Sequence, residues 1–357
     1  MDVSAKITGI KYWPFLCRDL KVYNLSDLDA ALSQDGSFIL DLYGKKRIAL
    51  SWWVSAKRTR SYPYARVYDT LSFEGKKVTV IPIIKDEGRE GDRDFLQWDT
   101  ISLMSLLGVY VIIGYYKNAE KSKRYAHKIT NQRFDIQYIE EEINRILSYQ
   151  SDALHWNLSQ IEKAGEIGKT ALCCYEKISR ELGVEMHSKD SAEKRINELI
   201  RGKETFMQLS RELAKKAQNR ESVTKQPKEK LSGIKATLTI KNYLGGYYFF
   251  TCDEVEIENE TRYLIEGKHS KQSLIPSLED IKDGLLKMIL FANLKEVKIE
   301  GKEYKPIAVL KLTSDFRFSQ EKLRSSQIEI LKLLKEEARE NNFMVRIKDR
   351  DLMEMVL

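Results

Sequence analysis

Asp253, Glu266 and Lys268 are residue types that can act together on a phosphate ester, and their spacing brings them together. They lie in TCDEVEIENETRYLIEGKHSK, residues 251 to 271, which reads as two strands folded back on each other. With ENET (258–261) as the turn, pairing partners sum to 519, so Ile257 faces Arg262 and Asp253 faces Glu266. Directly opposed residues share a face, with Cβ atoms about 4.5–5.5 Å apart. Lys268 lies two residues beyond Glu266 and points the same way. Val255, Ile257 and Leu264 share that face and suit a core. Two like charges placed opposite each other destabilise a hairpin unless something compensates them. A divalent cation does so. Hard carboxylate oxygens bind Mg²⁺, which keeps several waters and bridges to phosphate oxygens. Such a cation polarises a phosphodiester and generates hydroxide near neutral pH. A lysine beside the attacking water orients it or stabilises the developing charge.

The elements around this hairpin read as strand-hairpin-helix-strand-helix-strand. KATLTIKNYL and YYFFTCDEVEI precede the turn. SLEDIKDGLLKMILFANL is an amphipathic helix with Leu278, Ile281, Leu285, Met288 and Ile289 on one face. Ser277 followed by Asp280 resembles a capping box that fixes its start. KPIAVLKLTS is a buried strand, SQEKLRSSQIEILKLLKEEARENN a second helix and FMVRIKD a last strand.

This order of parts, an Asp, a hairpin, Glu-x-Lys on the next strand and then a helix, resembles the PD-(D/E)xK nuclease superfamily. Type II restriction endonucleases are the members it is most similar to. The resemblance covers roughly residues 233 to 345, about a third of the chain. It implies that Asp253 and Glu266 are the metal ligands, that Lys268 is the catalytic lysine, and that Mg²⁺ is the cofactor. It further implies cleavage of double-stranded DNA at a defined sequence, by a homodimer whose two-fold axis matches a palindromic site. The chain departs from the pattern where the family often has Pro before the Asp, since Cys252 stands there. A slipped register would make Glu254 the first acid instead. EGK also occurs at Glu74 and Glu300, where SFEGKKVTV and KIEGKEYKP read as glycine turns between strands. Two other functions remain in view: a DNA-binding or assembly protein with an inactive nuclease-like domain, and a structure-selective repair nuclease.

The chain has 357 residues, 42% hydrophobic and 32% charged, which suits a globular α/β (α+β) protein of more than one domain. Residues 1–134 read as an N-terminal mixed α/β domain for DNA recognition, 135–222 as a helical connecting or dimerisation region, and 233–357 as the catalytic domain with a mixed sheet flanked by helices. NRESVTKQPKEKLSG, with Pro227, is the linker. In the middle region Ile136, Ile139, Ile143 and Leu147 recur at helical spacing. TISLMSLLGVYVIIGYY reads as a buried helix running into a buried strand, too short to cross a membrane. KDEGREGDRDFLQWD reads as an acidic loop. Its Asp92, Asp94 and Asp99 suit a second metal site less well than a surface loop with a helix cap at Asp99 or Thr100. No secretory leader is visible, and the four cysteines, Cys17, Cys173, Cys174 and Cys252, fit buried reduced thiols, so the expected location is the cytoplasm. AGEIGKTAL lacks the first glycine of a phosphate loop, because Lys163 occupies that place.

The net charge of +7 is clustered. SAKRTRSYPYARVY sets Lys57, Arg58, Arg60 and Arg66 among Tyr62, Tyr64 and Tyr68, on a stretch broken by Pro63 that cannot be an ordinary helix. YYKNAEKSKRYAHK holds Lys117, Lys121, Lys123, Arg124 and Lys128. Arg and Lys neutralise phosphates, and Arg reads guanine bidentately. The expected DNA contacts are therefore Lys57, Arg58, Arg60, Tyr62, Arg66, Lys121, Lys123 and Arg124.

Overall fold

The computed structural model describes residues 2–42, 46–57, 60–200, 234–242, 247–258, 261–299 and 301–356. It is a mixed α+β protein. The chain divides into two units, Met1–Arg18 with Arg211–Leu357 and Asp19–Ser210, which differs from the three consecutive segments expected. The reason lies in two places. Strand β1 (Asp2–Ile7) alternates exposed and buried side chains and pairs within the C-terminal sheet. The helices of the middle region pack on the sheet of the second unit.

In that second unit, β2 (Val22–Asn24), β3 (Ser37–Leu42), β4 (Lys46–Trp52), β5 (Lys76–Pro82) and β8 (Val109–Gly114) form a sheet in this order. β3 and β4 are antiparallel, while β4, β5 and β8 run parallel. VYVIIG of β8 is buried at every position, as a strand covered on both faces must be. Helix α1 (Leu28–Gln34) precedes β3, α2 (Pro63–Tyr68) follows β4, and α3 (Trp98–Leu106) leads into β8 as read. The stretch around Pro63 is thus helical after all, because proline at the first helical position gives up no hydrogen bond. The acidic segment is not wholly loop: β6 (Ile84–Asp86) and β7 (Arg93–Phe95) pair within it. Asp99 and Thr100 lie inside α3, and its N-cap position is Gln97, whose side chain makes no cap hydrogen bond. A further two-stranded ribbon, β9 (Tyr116–Lys121) with β10 (Ile129–Phe134), follows β8.

Three helices complete the unit: α4 (Ile136–Ser148), α5 (Ala153–Leu182) and α6 (Lys189–Ile200). α5 starts where the Asp152 side chain accepts from the His155 backbone N–H, and it stops at Gly183 in the left-handed conformation. Its first turns close the open edge of β8. Asn157 accepts from the Val111 N–H at 2.7 Å and donates to the Val109 carbonyl at 3.0 Å. Trp156 donates to the Val111 carbonyl at 2.7 Å and Gln160 accepts from the Ile113 N–H at 3.3 Å. Side chains thereby do for β8 what a sixth strand would do.

The other unit holds β11 (Ile234–Asn242), β12 (Tyr247–Glu258), β13 (Thr261–Ser270), β14 (Lys295–Ile299), β15 (Lys302–Tyr304), β16 (Ile307–Ser314), β17 (Met344–Ile347) and β18 (Arg350–Asp351). With β1 they form one nine-stranded sheet, ordered β15-β14-β1-β11-β12-β13-β16-β17-β18. Helix α7 (Leu278–Phe291) crosses from β13 toward β16, and α8 (Ser325–Glu340) crosses from β16 to β17. The Ser277 hydroxyl accepts from the Asp280 N–H at 3.1 Å and caps α7 as its sequence predicts. The buried Glu337 of α8 holds the N-terminal segment, accepting from the Tyr12 hydroxyl at 2.6 Å and from the Phe15 N–H at 3.0 Å.

Asn157→Ala should leave one buried N–H and one buried carbonyl of β8 without partners. At roughly 1–3 kcal/mol for each of the two stranded groups, urea unfolding should show a loss of about 2–6 kcal/mol. An unchanged midpoint would show that the helix does not support the edge.

Candidate active site

The hairpin register is the expected one. Pairs run from Glu258 with Thr261 to Glu254 with Ile265, which sets Asp253 opposite Glu266. Asp253 accepts from the Gly267 backbone N–H at 2.9 Å, and the hairpin register sets its carboxyl across from that of Glu266. Glu254 lies on the other face of the sheet, fully buried, with its carboxylate 3.5 Å from Lys311, so it is not the first acid of this group. Along the strip, Val255 and Leu264 are buried, whereas Ile257 is half exposed.

Glu266 is 2% exposed, and both of its oxygens meet ammonium groups. Lys268 lies 3.1 Å from one and Lys287 2.5 Å from the other. Lys268 also reaches Asp283 at 2.6 Å. Asp283 and Lys287 are four apart on α7 and so share one helix face. Between them sits Gly284, where a Cβ would come within 2.7 Å of Leu310 Cδ1 and 3.2 Å of Lys268 Cε. Only a residue without a side chain lets α7 press this close to β13 and β16. Burial alone would push the Glu266 carboxyl up. Lys287 and Lys268 overcome it and hold the group at about 2. Burial likewise opposes the charge on Lys268, but Glu266 and Asp283 outweigh it and keep the ammonium well above its ordinary value. The neighbouring Cys252 thiol is pushed up to about 12 by burial and by the two carboxylates, which rules it out as a nucleophile.

Sequence reading found three of these five charged residues. Lys287 and Asp283 were missed because their helix reads as an apolar stripe. The available signal was Gly284, an interior glycine in an otherwise strong helix.

Among the described residues, no group of three or more His, Cys, Asp or Glu is arranged to hold a metal ion. The two facing carboxylates are nevertheless hard oxygen donors. The residues suit a divalent cation in donor type, with Lys268 and Lys287 competing for the oxygens of Glu266.

The expected DNA contacts divide. Arg58 lies outside the described residues. Arg60 turns inward, 2.5 Å from Glu87 and 3.2 Å from the buried Asp94, with a further bond to Asp92. Arg66 donates to the Trp52 carbonyl at 2.9 Å and stacks over its ring, against Gly36, where a Cβ would sit 2.6 Å from its Nε. Those two cations are used inside the unit, so the expected basic face is not formed by them. The acidic stretch is the counterion of Arg60: Asp94 also binds Ser55 at 2.6 Å and Lys57 at 3.0 Å. Tyr62, Lys121, Lys123 and Arg124 are exposed. Of the four cysteines only Cys252 is buried, while Cys173 is exposed.

The strand run that carries the site recurs in the other unit. β12, β13, β16 and β17 pair antiparallel, parallel and parallel, as do β3, β4, β5 and β8. Glu266 stands five residues past the first paired residue of β13 and faces Leu310. Ser51 stands five past that of β4, opposite Ser37 and Thr79. All three are buried, and Ser51 donates to Thr79 at 2.9 Å. Neutral hydroxyls there replace the charged group.

Comparison with protein-family models, curated proteins and solved structures finds no match to this chain.

Because Glu266 is held below its ordinary value of 4.5, it adds stability above that pH, and this is lost as pH falls toward about 2. The loss should be on the order of 3 kcal/mol, and Glu266→Gln should flatten that limb in acid-unfolding curves. Lys287→Met alone should cost about 3–5 kcal/mol by stranding the carboxylate, and Glu266→Leu added to it should recover most of that. Additive losses in the double variant would refute a coupled pair.

Proposed function

We propose that the chain is a Mg²⁺-dependent endonuclease that hydrolyses double-stranded DNA at a defined sequence, in the manner of a type II restriction enzyme. The supporting observation is the meeting of Asp253, Glu266 and Lys268 at one point of the sheet under α7. Asp253 and Glu266 would hold the cation. When bound, it would supply Lewis acidity and lower the pKa of a water ligand. Lys287 keeps Glu266 ionised at every working pH, so that this ligand needs no deprotonation step. Lys268 remains an ammonium, and it therefore serves as a charge and hydrogen-bond donor toward phosphate oxygens, not as a base. Gly284 lets the helix exclude water from behind the carboxylates. Action as a homodimer in the cytoplasm belongs to the same proposal. Among the described residues no helix is long and apolar enough to cross a membrane.

One observation favours a second reading, a DNA-binding or assembly protein with a silent site: both Glu266 oxygens are already taken by lysines. Plasmid DNA incubated with Mg²⁺ and with EDTA separates the two. Discrete fragments with Mg²⁺ support the restriction enzyme, a smear a structure-selective nuclease, and intact plasmid the silent site.

Glu266→Gln should reduce cleavage by roughly 10²–10³-fold, several kcal/mol of transition-state stabilisation, while duplex binding in EDTA is kept. Cutting near the wild-type rate would remove Glu266 from the mechanism.

A further inference from the structure

We infer that the ribbon of β9 and β10 is the element that grips the duplex, entering its major groove tip first; this rests on the nuclease reading above. The ribbon, residues 116–134, carries six basic side chains against one acid, Glu120. Lys117 is paired with Asp135 at 2.9 Å, and Arg133 lies near Asp29 and Glu120. Lys121, Lys123, Arg124 and Lys128 have no carboxylate within ion-pair reach among the described residues. Four uncompensated cations on one short turn make a local positive potential that the chain's modest net charge conceals.

The tip is shaped as well as charged. Ser122 N–H donates to the Lys128 carbonyl at 2.9 Å, and Lys128 N–H to the Tyr125 carbonyl at 3.1 Å. The Ser122 hydroxyl accepts from the Tyr125 N–H at 3.2 Å. Tyr125 is 51% exposed, with Arg124 and Lys128 each 5.3 Å from its ring centroid. An aromatic ring with flanking cations gives phosphates and sugars a surface of both kinds. An isolated two-stranded hairpin is marginal in water. This one is secured at its base, where Tyr116 and Phe134 stack at 4.5 Å, and again beside the turn, where Ile129 is buried and its N–H donates to the Glu87 carbonyl at 3.1 Å. Residues 123–127 of the turn are exposed, and a two-stranded ribbon fits the major groove of B-DNA. The cations of the tip would then meet the phosphates that line that groove.

The test is Lys121→Gln, Lys123→Gln, Arg124→Gln and Lys128→Gln combined, beside a charge-matched control, Lys163→Gln, Lys169→Gln, Lys177→Gln and Lys194→Gln on α5 and α6. Binding to a duplex in EDTA is measured across salt. Each lost phosphate contact lowers the slope of log K against log salt by about 0.9, so the ribbon variant should lose roughly 3–4 in slope and on the order of 10³-fold in affinity at 0.1 M salt. The control should keep both, and thermal unfolding should be the same for all three proteins. An unchanged slope in the ribbon variant, or an equal loss in the control, overturns the inference. If the wild type cuts plasmid while the ribbon variant binds as before, only the ribbon assignment fails. A wild type that neither binds nor cuts duplex DNA overturns both readings.

Discussion

A carboxylate removed from water and kept ionised is the constraint around which the C-terminal unit is organised. Taking Glu266 out of solvent is costly unless opposite charge sits beside it. Two lysines supply that charge from different elements, Lys268 on its own strand and Lys287 on the helix that follows. The helix must therefore lie close, and Gly284 makes the approach possible. Asp283 then balances Lys268 from the same helix face. Each requirement follows from the one before it, so the hairpin, the capped helix and the glycine act as one device. An apolar core of the same volume would serve stability equally well or better. This unit keeps five charged groups in one cluster instead.

Much of this was legible in the sequence because it is local. The register of β12 and β13 follows from one turn, and the start of α7 from one serine. The alternation of strands and helices in the C-terminal half likewise follows from period and punctuation. What escaped depends on contacts distant in sequence. Lys287 reads as a solvated lysine until the helix is laid on the sheet. Arg60 and Arg66 read as exposed cations because their partners, Asp94 and the Trp52 carbonyl, are set by folding. Nothing in DVSAKI says that β1 will pair with strands more than two hundred residues away. The helices from 136 onward read as a spacer, since amphipathicity shows that a face is buried but not against what.

The paired strand runs of the two units make a natural comparison. One holds a charged group at the centre of its hairpin, and the other holds Ser37, Ser51 and Thr79. Ser51 and Thr79 satisfy each other without a counterion, so no helix lysine is required there. In that unit the charge lies elsewhere, in the inward-turned Arg60 network and on the exposed ribbon.

The side chains that close β8 have a consequence for how copies of the chain can associate. A sheet edge with free backbone groups invites strand addition by another molecule, and such ladders grow without limit. Asn157, Trp156 and Gln160 occupy those groups from within. The opposite edge, β2, offers three residues, and the nine-stranded sheet ends in β15 and β18, of three and two. Polymerisation through these edges is thereby blocked or starved of length.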